Sequence, residues 1–224
     1  MKKLLIILLS LWGFSCFAFN EEVPVDVIAI DYPPYTTASL SDNGIAFSLL
    51  NKYAQSNFLV AVSPLFLPPA RALRLIKEGN WCVSFYPPDK ENDLSRFVPL
   101  SENIVQMGFY RLKKKEDFYW GSLKELSGKT VALLRANKVG EMHQSFINSG
   151  LVLVYVESIA QGLQMVLKGR VDYAFGDNLA LLGNNLIKNQ RAQLQFSLST
   201  VYEAQVGFFY NTQCEERLFG LKNK

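Results

Sequence analysis

Two stretches carry one pattern: Arg71-Ala-Leu-Arg-Leu-Ile-Lys-Glu-Gly79 followed by Asn80-Trp-Cys-Val-Ser-Phe85, and Gln161-Gly-Leu-Gln-Met-Val-Leu-Lys-Gly169 followed by Arg170-Val-Asp-Tyr-Ala-Phe175. In each, apolar residues recur at helical spacing. A glycine stands where the helix would end, and an apolar strand segment begins soon after. The two lie 90 residues apart, from Gly79 to Gly169, too far for a stacked-repeat period. The pattern predicts two similar α/β lobes. The competing explanation is that helix, glycine and strand recur by chance, being a common succession.

The flanking sequence alternates in the same way. Val25 to Ile30 is apolar and β-branched, as a buried strand should be, and runs into Asp31-Tyr32-Pro33-Pro34-Tyr35, which reads as a rigid loop. Phe47, Leu50 and Ala54 recur at helical spacing, Phe58 to Leu67 reads as a second strand, and Pro68-Pro69 opens the helix Ala70 to Glu78. Trp81 to Tyr86 reads as a third strand. The second half repeats the order: strand Thr130 to Leu134, helix Val139 to Asn148, strand Leu151 to Val156, helix Ile159 to Lys168, strand Val171 to Phe175. Strands separated by helices of this length imply parallel sheets. The polar stretch Tyr110 to Asp117 is expected to contain the crossover between halves. Two such lobes leave a cleft lined by strand ends and helix N-termini, where small ligands bind.

Of the 224 residues, 49% are hydrophobic and 19% charged, which excludes a disordered chain, and the net charge of +3 is too small to indicate nucleic acid. Lys113-Lys114-Lys115 reads as a solvated turn. Met1-Lys2-Lys3, the apolar run Leu4 to Trp12, and Ser15-Cys16-Phe17-Ala18 read as a signal peptide over residues 1–18, cut after Ala18. A lipid on Cys16 is the minor alternative, because Gly13-Phe14-Ser15 lacks the leucine that opens a lipobox. Loss of Lys2 and Lys3 leaves a nearly neutral exported protein. In an oxidising compartment the remaining pair, Cys82 and Cys214, is expected to form a disulfide, the alternative being two separate buried thiols.

Phosphate loops, dinucleotide fingerprints and nucleophile elbows are missing from the sequence. The single histidine, His143, lies in Glu141-Met-His-Gln144 and reads as a surface residue, which argues against a Ser-His-Asp triad and against zinc. What remains suits a small polar ligand. Asp31, Tyr32 and Tyr35 follow the first strand, and rings there offer flat apolar contact with a polar tip. Arg71 opens a helix, Arg96 is read in a loop after the third strand, Arg135 follows the strand Thr130 to Leu134, and Asp177 lies just past the strand ending at Phe175. A guanidinium grips a carboxylate through two parallel hydrogen bonds, and a carboxylate suits an ammonium. Taken singly, each has a plain structural explanation: surface charge for Arg71 and Arg135, core packing for the tyrosines, a helix cap for Asp177.

The sequence resembles bacterial extracellular solute-binding proteins of family 3, the periplasmic receptors of polar amino acid ABC uptake systems. The resemblance rests on Asp31-Tyr-Pro-Pro-Tyr35, Arg71 to Gly79, Ser95-Arg96 before Pro99-Leu-Ser101, Ser122-Leu-Lys-Glu-Leu-Ser-Gly-Lys-Thr-Val131 and Lys168-Gly-Arg-Val-Asp-Tyr-Ala-Phe-Gly-Asp177. It implies a periplasmic-binding-protein type II fold, α/β, with residues 19–110 and 201–224 in lobe one and 118–200 in lobe two. It further implies that the aromatic loop stacks on the ligand, that Arg96 binds an α-carboxylate and that Asp177 takes an α-amine.

The sequence departs from the family pattern at four places. Ser48 replaces a usual Asp in Gly44-Ile-Ala-Phe-Ser-Leu49, Asn92-Asp-Leu-Ser-Arg96 replaces Thr-Pro-Glu-Arg, Arg135-Ala-Asn-Lys138 replaces Gly-Ser or Gly-Thr, and the chain stops soon after Phe208-Phe-Tyr210. The expected function is therefore that of a monomeric periplasmic protein, not an enzyme and without a cofactor. It would capture a small polar, carboxylate-bearing solute and deliver it to an ABC permease in the inner membrane. A sensory protein acting on a separate receptor is the second reading. A dehydratase-like enzyme on the same fold, using Asp31 or Asp177, is the third.

Overall fold

The computed structural model describes residues 23–88, 94–135, 140–183 and 185–220. The expected leader therefore lies outside the described residues, as do positions 89–93 and 136–139. Chain order is β1 (Val25–Ala29), α1 (Ile45–Asn57), β2 (Val62–Phe66), α2 (Pro69–Lys77), β3 (Val83–Ser84), β4 (Ser95–Leu112), β5 (Thr130–Leu134), α3 (Glu141–Asn148), β6 (Val152–Val156), α4 (Ile159–Leu167), β7 (Tyr173–Asp177), β8 (Leu194–Phe196), β9 (Tyr202–Asn211) and α5 (Glu215–Phe219).

The repeat read in the sequence is a repeat of structure. β1 pairs in parallel with β2 on one side and β3 on the other, and β5 pairs in the same way with β6 and β7. Each triplet is then closed by an antiparallel strand, β9 against β3 and β4 against β7. Helix α2 with Gly79 and β3 thus holds the position in the first half that α4 with Gly169 and β7 holds in the second. Both glycines turn left-handed, with φ of 80° and 63°, a conformation that ends a helix cheaply only at glycine. Among the described residues, no helix is long and apolar enough to cross a membrane.

Alternation along the central strands makes each half a three-layer sandwich. Val25, Val27 and Ala29 of β1 pack with Phe47 and Leu50 of α1, while Ile28 and Ile30 point to the other face and meet Ala72 and Ile76 of α2. In the second half Val131 and Leu133 of β5 meet Phe146 of α3, and Ala132 meets Ile159, Leu163 and Val166 of α4. Each leucine or phenylalanine buried this fully contributes about 1.5–3 kcal/mol.

The halves are joined by β4 and β9, which pair antiparallel from Ser95 opposite Asn211 to Met107 opposite Tyr202. The register shifts between Pro99 and Ile104. Here the structure corrects the sequence reading in two ways. Arg96 lies in a strand of 18 residues, not in a loop, and the chain passes between halves within β4, before the stretch Tyr110 to Asp117. Smaller corrections concern limits: β2 starts at Val62 because Phe58 leaves helix α1 to pack on Tyr53, Phe208 and Phe219, and β7 runs on through Asp177.

Cys82 and Cys214 form a disulfide with their Cα atoms 5.5 Å apart. It ties the approach to β3 to the segment after β9, and its sequence separation of 132 residues encloses the second half. In the chain-entropy model a loop of that length is worth about 4–5 kcal/mol. Protein lacking residues 1–18, denatured without reductant, should therefore show close to zero reactive thiols. Reduction should lower its urea midpoint; two titratable thiols per chain, or an unchanged midpoint, would contradict the bond.

Candidate functional site

Between the two halves lies a cavity of about 380 Å³. Its walls come from both: the Tyr32–Thr36 loop and the Phe85–Pro87 segment of the first half, and Leu133, Leu134, His143 and Ile159 of the second. Its floor is the paired β4 and β9, at Val105, Met107 and Ala204 to Gly207. Tyr32 and Leu134 each pack against core residues of both halves. Side chains of the two halves therefore already meet beside the cavity, which stays partly open to solvent.

The tyrosine loop is held by backbone bonds. The Tyr32 amide donates to the Thr36 carbonyl at 2.7 Å, and the Thr36 amide returns a bond to the Tyr32 carbonyl at 3.1 Å. The Thr36 hydroxyl donates to the Ile30 carbonyl at 2.8 Å. At the start of α1, the Ile45 and Ala46 amides have no partner within their own helix. They donate instead to the Pro34 and Tyr35 carbonyls, at 3.1 and 2.9 Å. This contact requires Gly44, where a Cβ would sit 2.6 Å from the Tyr35 carbonyl oxygen. The two tyrosine rings end 6.4 Å apart, tilted by 36°.

Asp177 closes β7 and is fully buried. Its Oδ1 accepts from the Leu179 amide at 2.8 Å, and its carbonyl accepts from the Tyr110 hydroxyl at 2.6 Å. Its Oδ2 and the hydroxyls of Tyr32 and Tyr35 are buried without a well-formed hydrogen bond, the Tyr32 hydroxyl lying beside the Asp177 carboxyl. Burial pushes the Asp177 carboxyl above the usual carboxylate range, against the pull of the Leu179 amide. Burial first, and the Asp177 charge second, push both phenols upward.

Of the residues singled out in the sequence, Tyr32, Tyr35 and Asp177 come together on this cavity, and Asp31, Arg71, Arg96 and Arg135 do not line it. Asp31 is exposed just past the end of β1, and Arg71 is exposed on the first turn of α2. Arg96 sits opposite Tyr210 at the far end of the β4–β9 ladder, its Nη1 donating to the Ser95 carbonyl at 3.0 Å. Arg135 pairs with Glu157 at 2.6 Å on the surface. The segments Asn92-Asp93 and Ala136 to Val139, where the sequence departs from the family, lie outside the described residues.

His143 is a correction. It is 9% exposed rather than a surface residue, it stacks on Tyr155 with ring centres 6.0 Å apart, and it lines the cavity. Burial pushes its pKa down, so it is neutral. Its neighbours Glu141 and Gln144 are polar and exposed, but His143 shares its face of α3 with the buried Phe146 three residues on. Tyr86, Met107 and Tyr202 also line the cavity, though no motif in the sequence singles them out. Among the described residues, no three His, Cys, Asp or Glu side chains converge to hold a metal ion.

No family model matches the sequence. No curated protein matches it either. Solved structures do match. The GluR0 ligand-binding core from Nostoc punctiforme in complex with L-glutamate superposes with a TM-score of 0.65 at 14% identity, over 87% of this chain and 88% of that one. Holo ArgBP from T. maritima gives 0.64 at 16% identity, over 86% and 84%. A histidine kinase sensor domain with similarity to periplasmic binding proteins gives 0.66 at 20%, over 88% and 87%. The fold is that of the type II periplasmic binding proteins: α/β, two lobes with a cleft between them.

The buried carboxyl gives a pH test. An acid whose pKa is higher folded than unfolded keeps its proton longer in the folded state. Folded stability therefore falls as pH rises from about 3.9 through the raised value. Asp177→Asn retains the acceptor for the Leu179 amide and removes the charge. Measured by urea unfolding without ligand, the variant should gain on the parent protein progressively as pH rises above about 4. A difference that is flat or shrinking with pH would show that the Asp177 charge carries no such penalty.

Proposed function

We propose that this protein is a receptor that encloses a small polar, amino-acid-like solute between its two lobes. The residues before the passage within β4, with the segment that follows the β9 ladder, would form lobe one and the second half lobe two, with Tyr32, Tyr35 and Asp177 touching the ligand. The observation that carries this reading is the cavity between the halves, on which three buried polar groups from both sides gather, the Tyr32 and Tyr35 hydroxyls and the Asp177 carboxyl, none with a well-formed side-chain hydrogen bond to the other two. Buried polar groups are normally paired, and groups gathered on one cavity wall can pair with a polar ligand there. Ligand would favour the closed arrangement because only there can both halves contact it.

The fold shared with ligand-binding proteins supports the reading, and so does the composition of the cavity, which calls for grip rather than bond-making. Delivery to an ABC permease, after export through residues 1–18 to the periplasm, is the role we assign. The second reading, a sensory protein acting on a separate receptor, draws support from the likeness to the kinase sensor domain. The cavity supports the amine end of the sequence expectation; its described lining supplies no cation for the carboxylate end.

A thermal-melt screen of amines, amino acids, small organic acids and sugars tests the receptor reading. A true ligand at 100 times its Kd adds about 2.7 kcal/mol, a rise of roughly 5–10 °C for a domain of this size. The rise should disappear in Tyr35→Ala. A screen with no stabilising compound, or a rise that survives Tyr35→Ala, would count against the cleft as the site.

A further inference from the structure

Among the described residues, the lining of the cavity holds one carboxyl and no cationic side chain to balance its charge. That group is Asp177, buried at the cavity wall, with Oδ1 taken by the Leu179 amide and Oδ2 without a well-formed hydrogen bond, the Tyr32 hydroxyl lying beside the carboxyl. The other titratable groups that face it are neutral. They include His143 from α3, held uncharged by burial, and the phenols of Tyr32, Tyr35, Tyr110 and Tyr202. Among the described residues, no lysine or arginine lines the cavity. The remaining walls are mostly aliphatic and aromatic.

A buried carboxylate without a counter-charge is costly, and it is stabilised by a cation that hydrogen-bonds to it. The Tyr32 and Tyr35 rings beside it offer π-faces that attract the same charge. A zwitterionic amino acid would satisfy Asp177 with its ammonium. Its own carboxylate would then be buried in the same cavity, beside a like charge and with no guanidinium or ammonium to meet it.

Resting on the receptor reading above, we propose that the cavity selects a small organic cation, a primary amine with an apolar or aromatic body and no carboxylate. Binding would place the ammonium at Asp177 Oδ2, between the two tyrosine hydroxyls, with the body against Met107, Ile159 and Phe175.

Two matched series test this by calorimetry: 2-phenylethylamine, L-phenylalanine and 3-phenylpropanoate, and isopentylamine, L-leucine and 4-methylpentanoate. Each amine should bind at least tenfold tighter than the amino acid of the same skeleton, and the two acids should not bind. Asp177→Asn, shown by circular dichroism to be folded, should lose at least tenfold in amine affinity. The proposal is overturned if an amino acid equals or beats its amine, if neither amine binds, or if amine affinity survives in Asp177→Asn. In the first of these cases, amino acid binding that depends on Tyr35 would leave the receptor reading standing and remove only the ligand class. A wide screen without any stabilising compound would remove both.

Discussion

The antiparallel ladder between β4 and β9 makes one molecule of two half-sheets. Each half has its own parallel triplet, its own helices and its own buried cores, and each could satisfy its strands without the other except at one edge. β3 and β7 both leave an edge exposed, and an unpaired edge must be covered. β9 covers the first and β4 the second, and because β4 and β9 then pair with each other the sheet runs unbroken from β2 to β6. The cavity stands on this ladder. Its floor is set where the register shifts between Pro99 and Ile104, since Gly207 and Gln205 flank that point on β9 and both face the cavity.

How much of this was legible in the sequence follows from how each element is stabilised. The parallel strands are buried on both faces and so read as short apolar runs: Thr130 to Leu134 was read with the limits it has, and Val25 to Ile30 within one residue. The helices between them bury one face and keep helical spacing. β4 was missed because it carries Pro99, Glu102 and Asn103 in its middle, where the register shift breaks the alternation that would have marked a strand. Arg96 was accordingly placed in a loop, although it begins that strand.

The site was legible in part for the same reason. Tyr32, Tyr35 and Asp177 follow strand ends, and the ends of parallel strands in such folds face the cleft. That rule gives position along the chain but not the direction of a side chain. Arg135 also follows a strand end, yet turns outward to Glu157. His143 lay beyond the rule altogether: a lone histidine on a helix reads as solvated, and only the approach of Tyr155 and the cavity shows that it is buried.

The disulfide has a further consequence in the face of proteolysis. Residues 82 and 214 bracket all of the second half and the ladder that supports it. A peptide bond cut anywhere between them divides the backbone in two but leaves a single covalent molecule. When the cut falls between β3 and β9, the first fragment keeps β1 to β3 and the second keeps β9, which covers β3. A nicked protein would therefore run at full mass without reductant and fall into two bands with it. The cut ends would stay near one another, because the bond holds each fragment to the same sheet edge.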